Sequence, residues 1–166
     1  WYQTVGGGFN FTMQFNADSS RTGPMGNRWT HTYGMKVITN APYGALVLDV
    51  NGWEHYFTGN PTEASPWYTS EADVRDRLKK TWNVSHVWTG WQLIRPDQEI
   101  LTFGTGGKLT ARTDSQGFSW SLSYTGDLLT TATDPLGRQT TFTYTSGYLT
   151  RVTVPGGAHA DFTYSA

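Results

Sequence analysis

Three consecutive stretches decide how this chain folds: LTARTDSQGFSWSLSYTGDL (residues 109–128), LTTATDPLGRQTTFTYTSGY (129–148) and LTRVTVPGGAHADFTYSA (149–166). Set one under another, they repeat with a period of 20. Leu109, Leu129 and Leu149 fall in one column, each followed by threonine (Thr110, Thr130, Thr150). Thr113, Thr133 and Thr153 form another column, as do Gly117, Gly137 and Gly157, and Tyr124, Tyr144 and Tyr164. A large apolar residue stands two places before each tyrosine: Leu122, Phe142 and Phe162. A fixed spacing of this kind marks a repeat architecture whose units stack on one another.

Each unit reads as a β-hairpin. Phe118, Trp120, Leu122 and Tyr124 alternate with Ser119, Ser121 and Ser123, the period-2 pattern of a strand with one buried face. Asp134-Pro135-Leu136-Gly137 is a turn signal, because Asp accepts from the backbone, Pro presets φ and Gly admits a positive φ. Asp114 to Gly117 and Val154 to Gly157 occupy the same slot. The tyrosine and phenylalanine columns are expected to form aromatic ladders in the core, since one hairpin cannot bury its own apolar face.

Upstream, Gly6-Gly7-Gly8 precedes an alternating run, Phe9, Phe11, Met13 and Phe15, read as a strand. Arg21 to Gly26 is a Gly/Pro turn region, and Trp29, His31 and Tyr33 alternate again. Ala45 to Val50 and Trp53 to Phe57 read as strands joined through Asn51-Gly52, a strong hairpin signal. Residues 71–80 hold 7 of the 25 charges and fit either a short helix or a charged edge strand or loop. Trp82, Val84, Val87, Trp88, Trp91 and Leu93 read as further strand material, and Ile100 to Phe103 leads into the repeats. Residues 1–100 thus form an N-terminal β segment and 101–166 three 20-residue hairpin units. The two are expected to share one core in an all-β fold, a curved antiparallel repeat sheet packed with an N-terminal sheet.

Composition points the same way. The 166 residues include 25 aromatics, 26 threonines and 19 glycines, so strand and turn formers dominate. Charged residues make up only 15% and the net charge is −1, which argues against affinity for nucleic acid or an anionic membrane. Cysteine is absent, excluding a disulfide framework and thiolate chemistry. No apolar run is long enough to span a membrane as a helix. The chain begins at Trp1 with no recognisable signal peptide, and is read as a processed product or a piece of something longer.

Candidate chemistry is sparse. Phe103 to Lys108 looks like a phosphate-binding loop, but position 102 is Thr where the first Gly belongs and 109 is Leu where Ser or Thr would hold magnesium. His31, His55, His86 and His159 lack metal-ligand spacing, and His31 is expected to be packed within its strand. No Gly-x-Ser-x-Gly elbow occurs. Asp97 with Glu99, and Asp73 with Asp76, are the nearest approach to paired carboxylates and read as solvated turn residues. Asn10-Phe11-Thr12 and Asn83-Val84-Ser85 fit the glycosylation pattern. Neither catalytic residues nor cofactor or metal ligands are expected.

The two halves together resemble the YD-repeat, or Rhs, family of bacterial cell-surface and toxin-associated proteins. Gly126-Asp127-Leu128-Leu129-Thr130, Asp134-Pro135-Leu136-Gly137-Arg138, Phe142-Thr143-Tyr144 and Gly147-Tyr148-Leu149-Thr150-Arg151-Val152-Thr153 carry the repeat pattern. Thr22-Gly23-Pro24-Met25-Gly26 followed by Arg28-Trp29-Thr30-His31-Thr32-Tyr33 resembles the segment preceding the repeats, with Arg28 where the family has Gly. Trp91 to Phe103 is similar to its lead-in strand pair. The resemblance implies a ribbon-like sheet that can wall off a shell around a toxin. This chain is too short to close such a shell alone. The expected role is therefore structural and extracellular or cell-surface, with copies of the chain as partners, pairing head to tail through open sheet edges and extending into filaments. The alternatives are a carbohydrate-binding module using Trp53, Trp67, Trp82, Trp88 and Trp91, or a fragment of a larger toxin-encapsulating shell.

Overall fold

A computed structural model describes residues 11–40 and 44–164. Gly6 to Asn10, including Phe9 and the first glycosylation pattern's asparagine, lie outside the described residues. The fold is all-β and antiparallel. Two small ribbons pair β1 (Met13–Phe15) with β4 (Trp29–His31), and β2 (Thr22–Gly23) with β3 (Gly26–Asn27). A four-stranded sheet runs in sequence order through β5 (Lys36–Asn40), β6 (Gly44–Leu48), β7 (Glu54–Thr58) and β8 (Thr69–Ser70). A nine-stranded meander follows: β9 (Arg77–Trp82), β10 (Trp88–Ile94), β11 (Ile100–Phe103), β12 (Leu109–Thr113), β13 (Ser119–Thr125), β14 (Leu128–Thr133), β15 (Gln139–Thr145), β16 (Tyr148–Thr153) and β17 (His159–Asp161). It begins at Arg77, ahead of the first legible repeat.

The residues that open at 71–80 to either helix or strand resolve into a turn followed by charged edge strand β9; no helix occurs among the described residues. Val84 and Val87 are a correction to the strand reading. They sit in the β9–β10 turn, with Val84 98% exposed, because Asn83 Oδ1 accepts the N–H groups of Ser85 and Val87 and bends the chain there.

One turn recurs along the chain. At Asp49–Trp53, Asn83–Val87, Arg95–Glu99, Gly104–Lys108, Asp114–Phe118, Asp134–Arg138 and Val154–Ala158, the fourth residue's N–H bonds to the first carbonyl. The first N–H in turn bonds to the fifth carbonyl. The fourth residue has positive φ in every case, from 59° at His86 to 88° at Gly117. In six of the seven this is a type I turn closed by a left-handed residue, which explains the glycine column; at Val154–Ala158 the third residue, Gly156, also has positive φ (93°), as in a type II turn. Asn51-Gly52 belongs to this longer loop, in which Asp49 Oδ1 caps the N–H groups of Asn51 and Trp53. The two other hairpin ends of the nine-stranded sheet are tight two-residue loops. Gly126 alone has positive φ (56°) in one, and Ser146 (52°) and Gly147 (83°) both do in the other.

The remaining columns have a shared cause. A bulge shifts the register between Ser123 and Tyr124, between Thr143 and Tyr144, and between Thr102 and Phe103. The extra residue is the threonine after each leucine. Its hydroxyl satisfies the carbonyl across the bulge: Thr110 to Thr102 (3.1 Å), Thr130 to Ser123 (3.1 Å) and Thr150 to Thr143 (3.2 Å). Leu109, Leu129 and Leu149 are then buried, and each leucine carbonyl accepts the hydroxyl of the tyrosine 15 residues on. Tyr124, Tyr144 and Tyr164 donate over 2.7, 2.8 and 2.8 Å. Burial pushes the Tyr124 phenol up and the Tyr144 phenol to about 12, so both remain donors. Tyr144→Phe is expected to cost about 1–2 kcal/mol by leaving the Leu129 carbonyl unpaired, read as a lowered urea midpoint; Tyr164→Phe should cost less, at a more open position.

One core joins the two large sheets. Val37, Val47 and Phe57 pack with Leu78, Trp91, Leu93, Phe103, Leu109, Leu129 and Leu149. The sheets also meet through the backbone, where the Val37 N–H bonds to the Gly107 carbonyl over 2.8 Å beside a Lys36–Lys108 bridge.

Candidate interaction surface at the open end of the repeat sheet

The two edges of the nine-stranded sheet differ. Beyond β9 the chain folds back on itself: the Tyr68 N–H bonds to Leu78 O (3.0 Å) and the Lys80 N–H to Pro66 O (2.9 Å). Trp67 lies there under the Arg77 guanidinium, 4.0 Å from its ring centre, and Lys79 approaches at 5.4 Å. That edge is closed.

Among the described residues no strand pairs with the outer edge of β17. Toward β16, Val154 bonds to Ala158 O and the Phe162 N–H to Thr150 O. Antiparallel pairing alternates, so the backbone groups of His159, Asp161 and Thr163 point away from the sheet. These three residues are exposed. Asp161 is bound by Arg151 of the neighbouring strand (2.5 and 3.0 Å), and that hydrogen bond holds its carboxyl below the usual range. His159 Nε2 stands 3.8 Å from the same carboxylate.

A groove of about 790 Å³ runs beside this edge, lined by Met13, Met25, Trp29, Phe162 and Tyr164, with Asn27 and Asp161 at its rim. The β1–β4 ribbon supplies one wall, with Trp29 against Phe15 (5.3 Å between centroids), and the last repeat supplies the other, with Tyr148 against Tyr164 (5.1 Å). The Gly23-Pro24-Met25 turn docks on the last repeat. The Pro24 carbonyl accepts the Leu149 N–H (2.8 Å), and the Tyr164 hydroxyl lies 3.5 Å from it. This gives the turn singled out in the sequence a definite task.

The tryptophans named as a sugar platform do not form one surface, although Trp82 stands opposite Trp88 across β9 and β10. Trp91 is buried in the core, Trp88 meets it edge-on (4.9 Å), Trp67 is covered by cations, and Trp53 projects from the Asp49–Trp53 turn. Trp82 ends β9. Among the described tryptophans Trp29 alone lines the groove, and neither its strand pattern nor the repeat column of Tyr164 signals that the two share a surface.

Phe103 to Lys108 is the β11–β12 turn. Asp97 Oδ1 accepts the Glu99 N–H, and the buried Glu99 carboxylate is held between Arg95 and Arg112. Asp73 is exposed and Asp76 half-buried in the turn before β9. His31 is in the core, stacked on Phe11 at 5.3 Å; His55 approaches Asp49 and His86 approaches Glu63. Among the described residues no group of three or more His, Asp or Glu side chains is placed to hold a metal ion. No described helix is long and apolar enough to cross a membrane.

Sequential hairpins joined by a recurring five-residue turn alternating with two-residue loops in the repeats, with threonine-filled bulges and a tyrosine ladder, define an antiparallel β-hairpin repeat protein. Residues 125–159 match the RHS repeat family, and the chain thus carries RHS, or YD, repeats, as its resemblance implied. RHS repeats belong to structural proteins associated with the cell surface or with toxins. No curated protein matches the chain.

Proposed function

We propose that this chain is a non-catalytic structural building block of the bacterial cell exterior, assembling with copies of itself through the open end of its repeat sheet. The observation that supports this reading is the contrast between a covered β9 edge and a β17 edge whose outward backbone groups find no backbone partner among the described residues. An unpaired edge of this kind is a template for another strand. Extension into filaments would require a second contact in addition to β17, because the opposite edge is closed. Sedimentation velocity over a wide concentration range, with electron microscopy of the most concentrated sample, tests the proposal. Reversible dimers or longer polymers are expected. A monomer at the highest concentration would overturn self-association.

A further inference from the structure

The geometry points to a specific occupant for the β17 edge: an antiparallel strand of the β14/β16 type, bearing the Leu-Thr pair of these repeats, in one defined register. The inference rests on the proposed assembly through this edge and names the chemistry of the partner strand.

A translation along the sheet relates the β17 edge to its two predecessors. His159 to Tyr164 stand 20 residues after Gln139 to Tyr144, and those in turn 20 after Ser119 to Tyr124. In both earlier copies the outer edge of the tyrosine-bearing strand is covered in the same way. Tyr124 faces Leu129 and Tyr144 faces Leu149; Leu122 faces Ala132 and Phe142 faces Val152; Ser121 faces Thr133 and Thr141 faces Thr153. The threonine hydroxyl of the covering strand fills the bulge on Ser123 O and Thr143 O.

At β17 every acceptor of that set stands in place. Asp161 takes the position of Thr141, Phe162 that of Phe142, Thr163 that of Thr143 and Tyr164 that of Tyr144. The inner half of the interface is already formed, since the Phe162 N–H and the Tyr164 hydroxyl bond to Thr150 O and Leu149 O. An incoming strand therefore places its leucine opposite Tyr164, its threonine hydroxyl on Thr163 O and its β-branched residue opposite Phe162. The groove between Met25, Trp29 and Tyr164 receives the apolar side chains. A slip of one residue would turn those apolar side chains to the opposite face, so the register is strongly specified.

A synthetic hairpin with the sequence of residues 148–164 tests this on the whole chain, because a preformed hairpin loses less freedom on binding. A second peptide, identical except that the residues corresponding to Leu149 and Thr150 are exchanged, is the control. The expected result is saturable binding of the first peptide, with amide exchange at His159, Asp161 and Thr163 slowed at least about 10-fold. Ala160 and Phe162, which already face β16, should change little. The exchanged peptide should bind at least about 10-fold more weakly, and His159→Pro, which removes one outward donor, should weaken uptake of the first peptide. Absence of binding, equal binding of both peptides, or filling of the groove by oligosaccharides without strand uptake would overturn the inference. A monomer that takes up the peptide would refute self-association alone. A chain that oligomerises yet ignores the peptide would refute the strand assignment alone.

Discussion

Gly107→Ala is expected to be among the most damaging single-methyl changes in the molecule, costing about 3–5 kcal/mol. Gly107 has φ +76°, where a Cβ alone costs about 1–2 kcal/mol. Here the Cβ would also lie 1.9 Å from the Val37 carbonyl oxygen, a rigid backbone atom that cannot swing aside. Relief means parting β5 from the β11–β12 turn, which breaks the 2.8 Å bond from the Val37 N–H to Gly107 O and opens the core between the sheets. Gly137→Ala is the natural control. Its φ is +79° and nothing lies within 4 Å of the added carbon, so only the conformational cost of about 1–2 kcal/mol applies. Urea unfolding of both variants distinguishes strain from collision. Equal midpoints would show that the contact between the sheets is not rigid.

Stability should fall on acidification because of one core residue, His31. Its ring stacks on Phe11 and Phe142, and its Nδ1 accepts the Tyr33 N–H over 3.2 Å. That bond requires the neutral ring, since a proton on Nδ1 would face another donor. Burial lowers its pKa from 6.5 to about 4. The unfolded chain therefore takes up a proton near pH 6.5, while the folded chain resists until about pH 4. The contribution of the neutral ring is complete above pH 6.5, is lost as the pH falls through that window, and levels off below it. The total is about 3 kcal/mol. His31→Gln keeps an acceptor for Tyr33 but cannot titrate in this range. The difference in unfolding free energy between the natural chain and this variant should shrink by that amount between pH 7 and pH 4. A difference independent of pH would place the proton elsewhere.

The repeat sheet was legible because each column answers to one local requirement: a left-handed turn residue, a bulge to be filled, a carbonyl to be satisfied. Local rules of this kind leave a periodic trace. The N-terminal half left a weaker one, since its strands obey no common period. Met13 and Phe15 alternate as a half-buried strand should, yet in β1 they face outward, and Phe11 packs against the core instead. The closed β9 edge was equally illegible. Nothing in Pro66-Trp67-Tyr68 announces that this loop turns back to bond with Leu78 and Lys80. The groove escapes sequence reading for the same reason, because Trp29 and Tyr164 become neighbours only when the whole sheet is laid down.

The Pro24 turn sets an order of events for folding. Each hairpin of the meander closes over a few residues and can form within microseconds of collapse. Pro24 and Tyr164 are 140 residues apart, so their meeting depends on every hairpin between them having formed. During synthesis this turn emerges before the repeat sheet and reaches its docking place after it. A late step that joins the Pro24 turn to the last described repeat then reports on completion of the sheet between them, and a stopped-flow signal from Trp29 should lag behind the formation of strand structure.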